Sequence, residues 1–481
     1  MSQRPALLLF LVLLLPGARA AETSLSFTHA TIPELQAAMD AGTVDAERLV
    51  TLGLARIEAY DRAGPELGAV LTVNPRALER ARALDAERRR SGPRSPLHGI
   101  PVLLKDNLDT ADLPTTAGSF LLAESLPPDD ATLVRRLREA GAIVLAKVNL
   151  SEFASGGPMS SLGGPTRNPH DPARTPSGSS GGTGAAVAAA YAPLGFGTDT
   201  GGSVRGPSSA NGIVGLKPTL GLLSRDGIVP LALSFDTAGP MARSVTDIAV
   251  VLGVLAGPDP ADPATAASEG RIHADYTRFL DADALAGARI GVARDFLGQD
   301  REVDWIVEAA LATLEAAGAT VVDVKLPKWL LESRGELYRT IRYPEFRAQL
   351  ADYLATLAPG FPRTLEEVIE GNRTLLARRD DGARPDPTRW RLMLDELESP
   401  ALDDPEYLAV RDHGLPLIRD TLAGILAREE LDALVYPTSS TRPGRLDPDP
   451  DPDGAPGSGG SPVILANLSG FPDLIVPAGF T

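Results

Sequence analysis

The stretch PLHGIPVLLKDN, residues 96–107, sets an unbroken apolar run, Ile100 to Leu104, directly against a lysine, an aspartate and an asparagine. Bounded by Gly99 on one side and by these polar residues on the other, the run reads as a short buried strand ending at Lys105. Downstream, a helix is expected over 130–140, and AIVLAK at 142–147 gives a second strand that also ends in a lysine. Strand, helix and strand in succession are the signature of an α/β fold.

The same alternation extends in both directions. TIPELQAAM and TVDAERLVTLGLARIEAYDR open with capping-box patterns, Thr31 with Glu34 and Thr43 with Glu47, and predict two N-terminal helices. NPRALERARALDAERRR predicts a third. ARIGVARDF (288–296), a helix over 303–317 and ATVVDVKLP (319–327) resume the strand-helix-strand order, and LDALVYPTSS and DLIVPAG supply late strands. Residues 331–430 read as mostly helical, a cover for a site. The economical architecture is a single large mixed β-sheet core surrounded by helices.

Composition narrows the function classes. Residues 1–20 have a basic start at Arg4, an apolar run from Ala6 to Leu15 and the ending Ala18-Arg19-Ala20, which predicts a secretory signal peptide, one domain over 21–481 and an exported, periplasmic or extracellular protein. The run is too short for a membrane span, so no stable membrane insertion is expected after cleavage. A net charge of −17 without a basic block argues against nucleic acid as a partner. The absence of cysteine from all 481 residues excludes disulfides, thiol catalysis and thiolate metal sites. DPDPDPDG (447–454) imitates the opening of a calcium loop, but the twelfth position falls on Gly460 where a bidentate Glu is required, so an acidic loop is expected.

From Pro158 to Ser209 the sequence is rich in Gly, Ser, Pro and Thr, and a loop region this long within a domain is usually functional. GSSGG (178–182) matches G-x-S-x-G around Ser180, yet a proline-rich loop precedes it where an α/β-hydrolase requires a strand. GGTGAAV lacks the lysine of a phosphate-binding loop. No lysine follows a serine at S-x-x-K spacing. Lysine usage is more informative. Only five of the 46 basic residues are lysine. Arginine stays protonated in proteins, whereas a buried lysine can lose its proton and act as a base. A strand-end lysine ordinarily reaches solvent, but Lys105, followed by Asp106 and Asn107, suits a buried polar centre; Lys147 and Lys217 are read as structural.

PLHGIPVLLKDN, AGAIVLAKVNLSEFA, GGPTRNPHDPARTPSGSSGG, GTDTGGSVRGPSSANGIVGLKPT and FDTAGPMARS, in this order, resemble the amidase signature family, and within it the bacterial peptide amidases most. The resemblance implies the amidase signature fold and a Ser-cisSer-Lys triad of Ser203 as nucleophile, Ser179 as bridging serine and Lys105 as base, with a cis peptide between Gly178 and Ser179. It implies an oxyanion hole from the N–H groups of Thr200, Gly201, Gly202 and Ser203. Supporting roles fall to Asp199 and Arg205, which organise the loop, and to Ser180, through a hydrogen bond to Ser179.

The implied reaction is cofactor-free and metal-free hydrolysis of a carboxamide to carboxylate and ammonia, with a small-molecule or peptide amide as substrate and C-terminal peptide amides as one class. A broad-specificity aryl or aliphatic amidase and an amidotransferase A subunit are the enzymatic alternatives, and the signal peptide argues against the latter. A secreted binding protein on the same fold is the non-enzymatic one. The family pattern continues through a G-L-P-x-G stretch and beyond, whereas this sequence stops at DLIVPAGFT, so either a C-terminus truncated relative to the family or a sheet that ends differently is expected. Residues 153–160 and 331–430 are expected to shape the pocket.

Overall fold

The structure, a computed structural model, describes residues 26–377, 384–446 and 462–481. The expected signal peptide and the acidic segment 447–454 lie outside the described residues. The strands are β1 (Val70–Val73), β2 (Pro101–Lys105), β3 (Ile143–Val148), β4 (Met159–Ser160), β5 (Gly164–Pro165), β6 (Leu194–Asp199), β7 (Val214–Lys217), β8 (Thr237–Ala242), β9 (Arg289–Ala293), β10 (Thr320–Val324), β11 (Ala433–Val435) and β12 (Asp473–Ile475). Seven of them form a mixed sheet in the order β1-β3-β2-β6-β8-β7-β12. Its centre, β3-β2-β6, is parallel, and β1, β8, β7 and β12 each run antiparallel to a neighbour.

The large mixed sheet surrounded by helices is the architecture expected from the sequence. One detail differs: β9, β10 and β11 form a separate three-stranded parallel sheet in the order β10-β9-β11. β9 and β10 flank the helix Arg301–Ala316 as a local βαβ unit, β11 joins β9 from much later in the sequence, and their apolar residues pack on the helices Lys328–Thr356 and Leu415–Arg428. That local cover leaves them no need of the main sheet.

Both faces of the main sheet are covered, so its central strands are buried throughout and mostly apolar, with polar residues at or near their ends. In β2, Val102 and Leu104 face a core shared with Leu35, Val134 and Val251, from the helices Ile32–Asp40, Thr132–Glu139 and Val245–Leu255. Leu103 faces the opposite core, with Val50 and with Ala185, Ala186 and Val187 of the helix Gly181–Ala188. Side chains alternate along a strand, so Lys105 leaves β2 on the Leu103 side, toward the helix that follows Ser179 and Ser180.

The first helix opens on the expected capping box of Thr31 and Glu34. The second, Ala46–Arg56, starts later than expected: Asp45 caps it, accepting from the Arg48 N–H at 2.8 Å, while the Thr43 hydroxyl donates to the Ala38 carbonyl. Aspartate two residues nearer the helix offers the same acceptor and takes the position. The segment 331–430 is helical as read, with Lys328–Thr356, Leu365–Ala377, Pro387–Leu397 and Leu415–Arg428 as its main helices.

Candidate active site

Lys105 is fully buried at the end of β2. Its Nζ lies 2.7 Å from Ser179 Oγ and 2.7 Å from Thr198 Oγ1, with the Thr198 carbonyl at 3.4 Å. Burial disfavours the ammonium and brings the lysine down to about 7, against the partial opposition of the Asp199 and Asp236 charges. At neutral pH the amine is therefore poised between its two forms.

Ser179 follows a cis peptide bond, Gly178–Ser179, as the resemblance implied. Its carbonyl accepts from the Ser151 N–H at 3.0 Å. Ser180 does something other than expected. Its N–H donates to the Ser203 carbonyl at 3.1 Å, and its Oγ donates to the Thr198 carbonyl at 3.2 Å rather than to Ser179. The reason is direction: Ser180 begins the helix and faces β6, so it pins the Ser179 turn, the Ser203 turn and β6 to one another. Ser203 itself is half-buried whereas Ser179 is buried, which leaves Lys105, Ser179 and Ser203 in order from interior toward surface.

The segment after β6 is built around the Asp199 carboxylate. Oδ1 accepts from the Gly202 N–H at 2.9 Å and Oδ2 from the Val204 N–H at 3.0 Å. Arg205 closes on both oxygens, Nη2 to Oδ1 at 2.9 Å and Nε to Oδ2 at 3.0 Å. Burial alone would raise this carboxyl, but the Arg205 guanidinium and the hydrogen bonds outweigh it and hold Asp199 well below the usual carboxylate range. Asp199 and Arg205 thus sit where a loop-organising pair belongs. Gly202 is required twice over: its φ is +113°, and a Cβ there would lie 2.4 Å from Val463 Cγ2.

Because the Gly202 N–H is taken by Asp199, the expected set of four oxyanion donors is reduced. Among the described residues, the N–H groups of Thr200, Gly201 and Ser203 have no acceptor, so these three are available. Tyr338, on the long helix, closes over them. A Cβ on Gly201 would lie 2.6 Å from its hydroxyl, and its ring stacks on Phe235 at 5.3 Å. In the loop 153–160, Phe153 and Ala154 have φ of +50° and +57°, a region that L-residues seldom occupy, and a Cβ on Gly178 would lie 3.9 Å from the Gly156 and Gly157 carbonyl oxygens.

Several residues at this centre were not singled out in the sequence. Thr198 holds Lys105 and also accepts from Asn107 Nδ2 at 3.1 Å. Asp236 accepts from the Thr200 hydroxyl and from the N–H groups of Leu231 and Ala232 at 2.9 and 3.0 Å. Burial pushes its carboxyl up to about 6 in spite of these bonds. Asn467 and Asp473 reach the Asp199–Arg205 pair from the end of the chain. The sequence signal for Asn107 was its place beside Lys105; the others become visible only once β6 lies between β2 and β8 and the segment 462–481 packs beside β7. Lys147, fully buried, pairs with Asp106 at 2.8 Å and supports the turn after β2.

Residues 48–481 match the family described as Amidase. The chain belongs to the amidase family. Among solved structures, this amidase is similar to the native peptide amidase from Stenotrophomonas maltophilia, at 42% identity and a TM-score of 0.85, with 94% of this chain and 91% of that one covered. An amidase family protein from Bacillus anthracis str. Ames is 33% identical, at a TM-score of 0.80, over 94% of this chain and 84% of that one. Among curated relatives, the glutamyl-tRNA(Gln) amidotransferase A subunit of Halorhodospira halophila is 38% identical over 458 residues, 94% of this chain and 91% of the relative. This amidase is therefore an enzyme of amide C–N bonds, of the hydrolase or amidotransferase type.

Proposed function

We propose that this amidase is an exported serine amidohydrolase that converts a carboxamide to a carboxylate and ammonia, with C-terminal peptide amides as its substrates. The observation that carries the mechanism is the fully buried Lys105 amine at 2.7 Å from the hydroxyl of Ser179, on a turn hydrogen-bonded to Ser203. Serine at its ordinary pKa is a weak nucleophile and needs a base. Thr198 Oγ1 accepts N–H donors from Lys105 and Asn107, so the lone pair of neutral Lys105 is left for the Ser179 hydroxyl. As Ser203 Oγ bonds to the carbonyl carbon, its proton passes to Ser179 Oγ and the Ser179 proton to Lys105 Nζ. The oxyanion forms against the N–H groups of Thr200, Gly201 and Ser203, where loss of one donor typically costs about 3 to 4 kcal/mol. The C–N bond then breaks, the relay returns its proton to the departing ammonia, and water hydrolyses the acyl-Ser203 ester.

Similarity to the Stenotrophomonas peptide amidase over most of both chains supports peptide amides as substrates. A second reading, an amidotransferase subunit that takes ammonia from glutamine, is favoured by the curated relatives. An ammonia-release assay across peptide amides, aryl amides, aliphatic amides and free glutamine separates the two. Lys105→Ala, Ser179→Ala and Ser203→Ala are each expected to fall to background, and turnover retained by Ser203→Ala overturns the mechanism. Export is tested by N-terminal sequencing of the protein from its source, where an intact Met1 overturns it.

A further inference from the structure

Asp199 Oδ1 receives three donors: the Gly202 N–H, Arg205 Nη2 and, also at 2.9 Å, Asn467 Nδ2. Asn467 stands on the short helix Ile464–Ser469, buried, and its own Oδ1 accepts from Arg205 Nη2 at 2.5 Å. One planar amide thus donates to the carboxylate and accepts from the guanidinium. Only the amide side chains of Asn and Gln present an N–H₂ donor and a carbonyl acceptor in a single uncharged plane. Attachment of this segment to the sheet is secured separately, since Arg205 Nη1 donates to the Val463 carbonyl and to Asp473 Oδ2, and β12 pairs with β7. The contact of Asn467 with Asp199 is therefore more than an anchor for the chain end. It fixes the oxygen that takes the Gly202 N–H, and with it the angle of the turn carrying the neighbouring donors.

We infer that Asn467 is a positioning residue for the chemistry at Ser203, acting through Asp199 Oδ1 to aim the Gly201 and Ser203 N–H groups at the reacting carbonyl. The inference rests on the assignment of Ser203 as nucleophile. Asn467→Asp preserves size and shape but sets a carboxylate against Asp199, which exchanges a donor for a repulsion. With a peptide amide at about pH 8, kcat falls by about tenfold or more while KM stays within about threefold, the pattern of an interaction made in the transition state. As the pH is lowered, the ratio of variant to wild-type kcat recovers, because the introduced carboxyl, once protonated, again offers Asp199 an O–H donor.

Melting temperature confirms that the variant is folded. If Asn467→Asp does not accumulate, Asn467→Ala, which removes the donor without adding charge, gives the kcat loss with KM retained and the wild-type pH profile. An unchanged kcat in either folded variant overturns the inference, as does a loss confined to KM or a kcat ratio for Asn467→Asp that is flat with pH. Ser203→Ala in the same assay separates the failures. If it still turns over, the nucleophile assignment fails; if it is inactive while Asn467→Asp is unimpaired, the inference about Asn467 alone fails.

Discussion

At the scale of single residues, the chemistry turns on how a lysine is kept uncharged. Among the described residues, Lys105 has no carboxylate within hydrogen-bonding distance; it has two hydroxyls and a carbonyl, groups that satisfy an amine without compelling it to hold a third proton. Because the neutral form is the base, kcat/KM should rise with pH through about 7 and level off above it. The buried Asp236 carboxylate raises the Lys105 pKa. Asp236→Asn removes that charge while its amide oxygen still accepts from the Leu231 and Ala232 N–H groups and its N–H₂ donates to the Thr200 hydroxyl, so the acid limb of the pH–rate profile should move to lower pH. A limb that stays in place would detach Asp236 from Lys105. Lys105→Arg should be inactive at every pH, since a guanidinium does not deprotonate in this range. Arginine outnumbers lysine so heavily that Lys105 is conspicuous in the sequence alone. Its partner Thr198 is not, because a threonine near the end of a strand is unremarkable until β6 is known to lie beside β2.

Among the elements, the turn from Asp199 to Arg205 and the long helix Lys328–Thr356 face each other across the site. Gly202→Ala forces a Cβ into a positive φ and onto Val463, so the turn must shift. The displaced donors should lower kcat by about tenfold or more with the fold intact, which steady-state kinetics beside circular dichroism would check. The long helix is pinned near its other end, where the Tyr353 hydroxyl donates to Asp109 Oδ1 at 2.8 Å. Burial pushes the Asp109 carboxyl up to about 7, opposed by this bond and by Lys147. Its folded value lies above the unfolded one, so the native state binds the extra proton between about 4 and 7, and stability from this group is lost as pH rises through that window.

Tyr353→Phe removes the bond that favours the carboxylate. It should destabilise by about 1 to 3 kcal/mol and extend the loss to higher pH; melting temperatures from pH 5 to 8 that run parallel to wild type would refute the pin. The turn was legible as one stretch, Asp199 to Arg205, although the Gly202 N–H turned out to serve Asp199 rather than the oxyanion. The pin was not, since Asp109 and Tyr353 share no local pattern.

Over the whole molecule, β2, β3 and β12 of the main sheet were legible from apolar runs, whereas β1, β6, β7 and β8, short and interrupted by glycine or threonine, were not singled out; the separation of β9, β10 and β11 into their own sheet depends on which helices cover them, and periodicity does not encode that. The lysines connect sequence to fold more directly. Lys105, Lys147 and Lys217 are all fully buried at or next to the ends of β2, β3 and β7, while Lys325 and Lys328 are exposed. Lys147 has the Asp106 carboxylate. Lys217, opposite Asp473 in the β7–β12 register, has the Pro218 carbonyl as its one hydrogen-bond acceptor among the described residues. Burial and then the Arg205 charge bring it down to about 7, the Asp199 and Asp473 charges opposing.

Between about 7 and the ordinary 10.5 the unfolded chain therefore holds a proton at Lys217 that the folded chain lacks. Stability must rise with pH across that window, by about 1.4 kcal/mol per pH unit where the difference is one full proton. Lys217→Met fills the same space without an amine and removes that slope. The variant should be more stable than wild type near pH 7, and its advantage should shrink steadily toward pH 10 in urea titrations of the two proteins. Equal slopes would mean that Lys217 keeps its charge inside the sheet, and the same electrostatic argument would then weaken for Lys105.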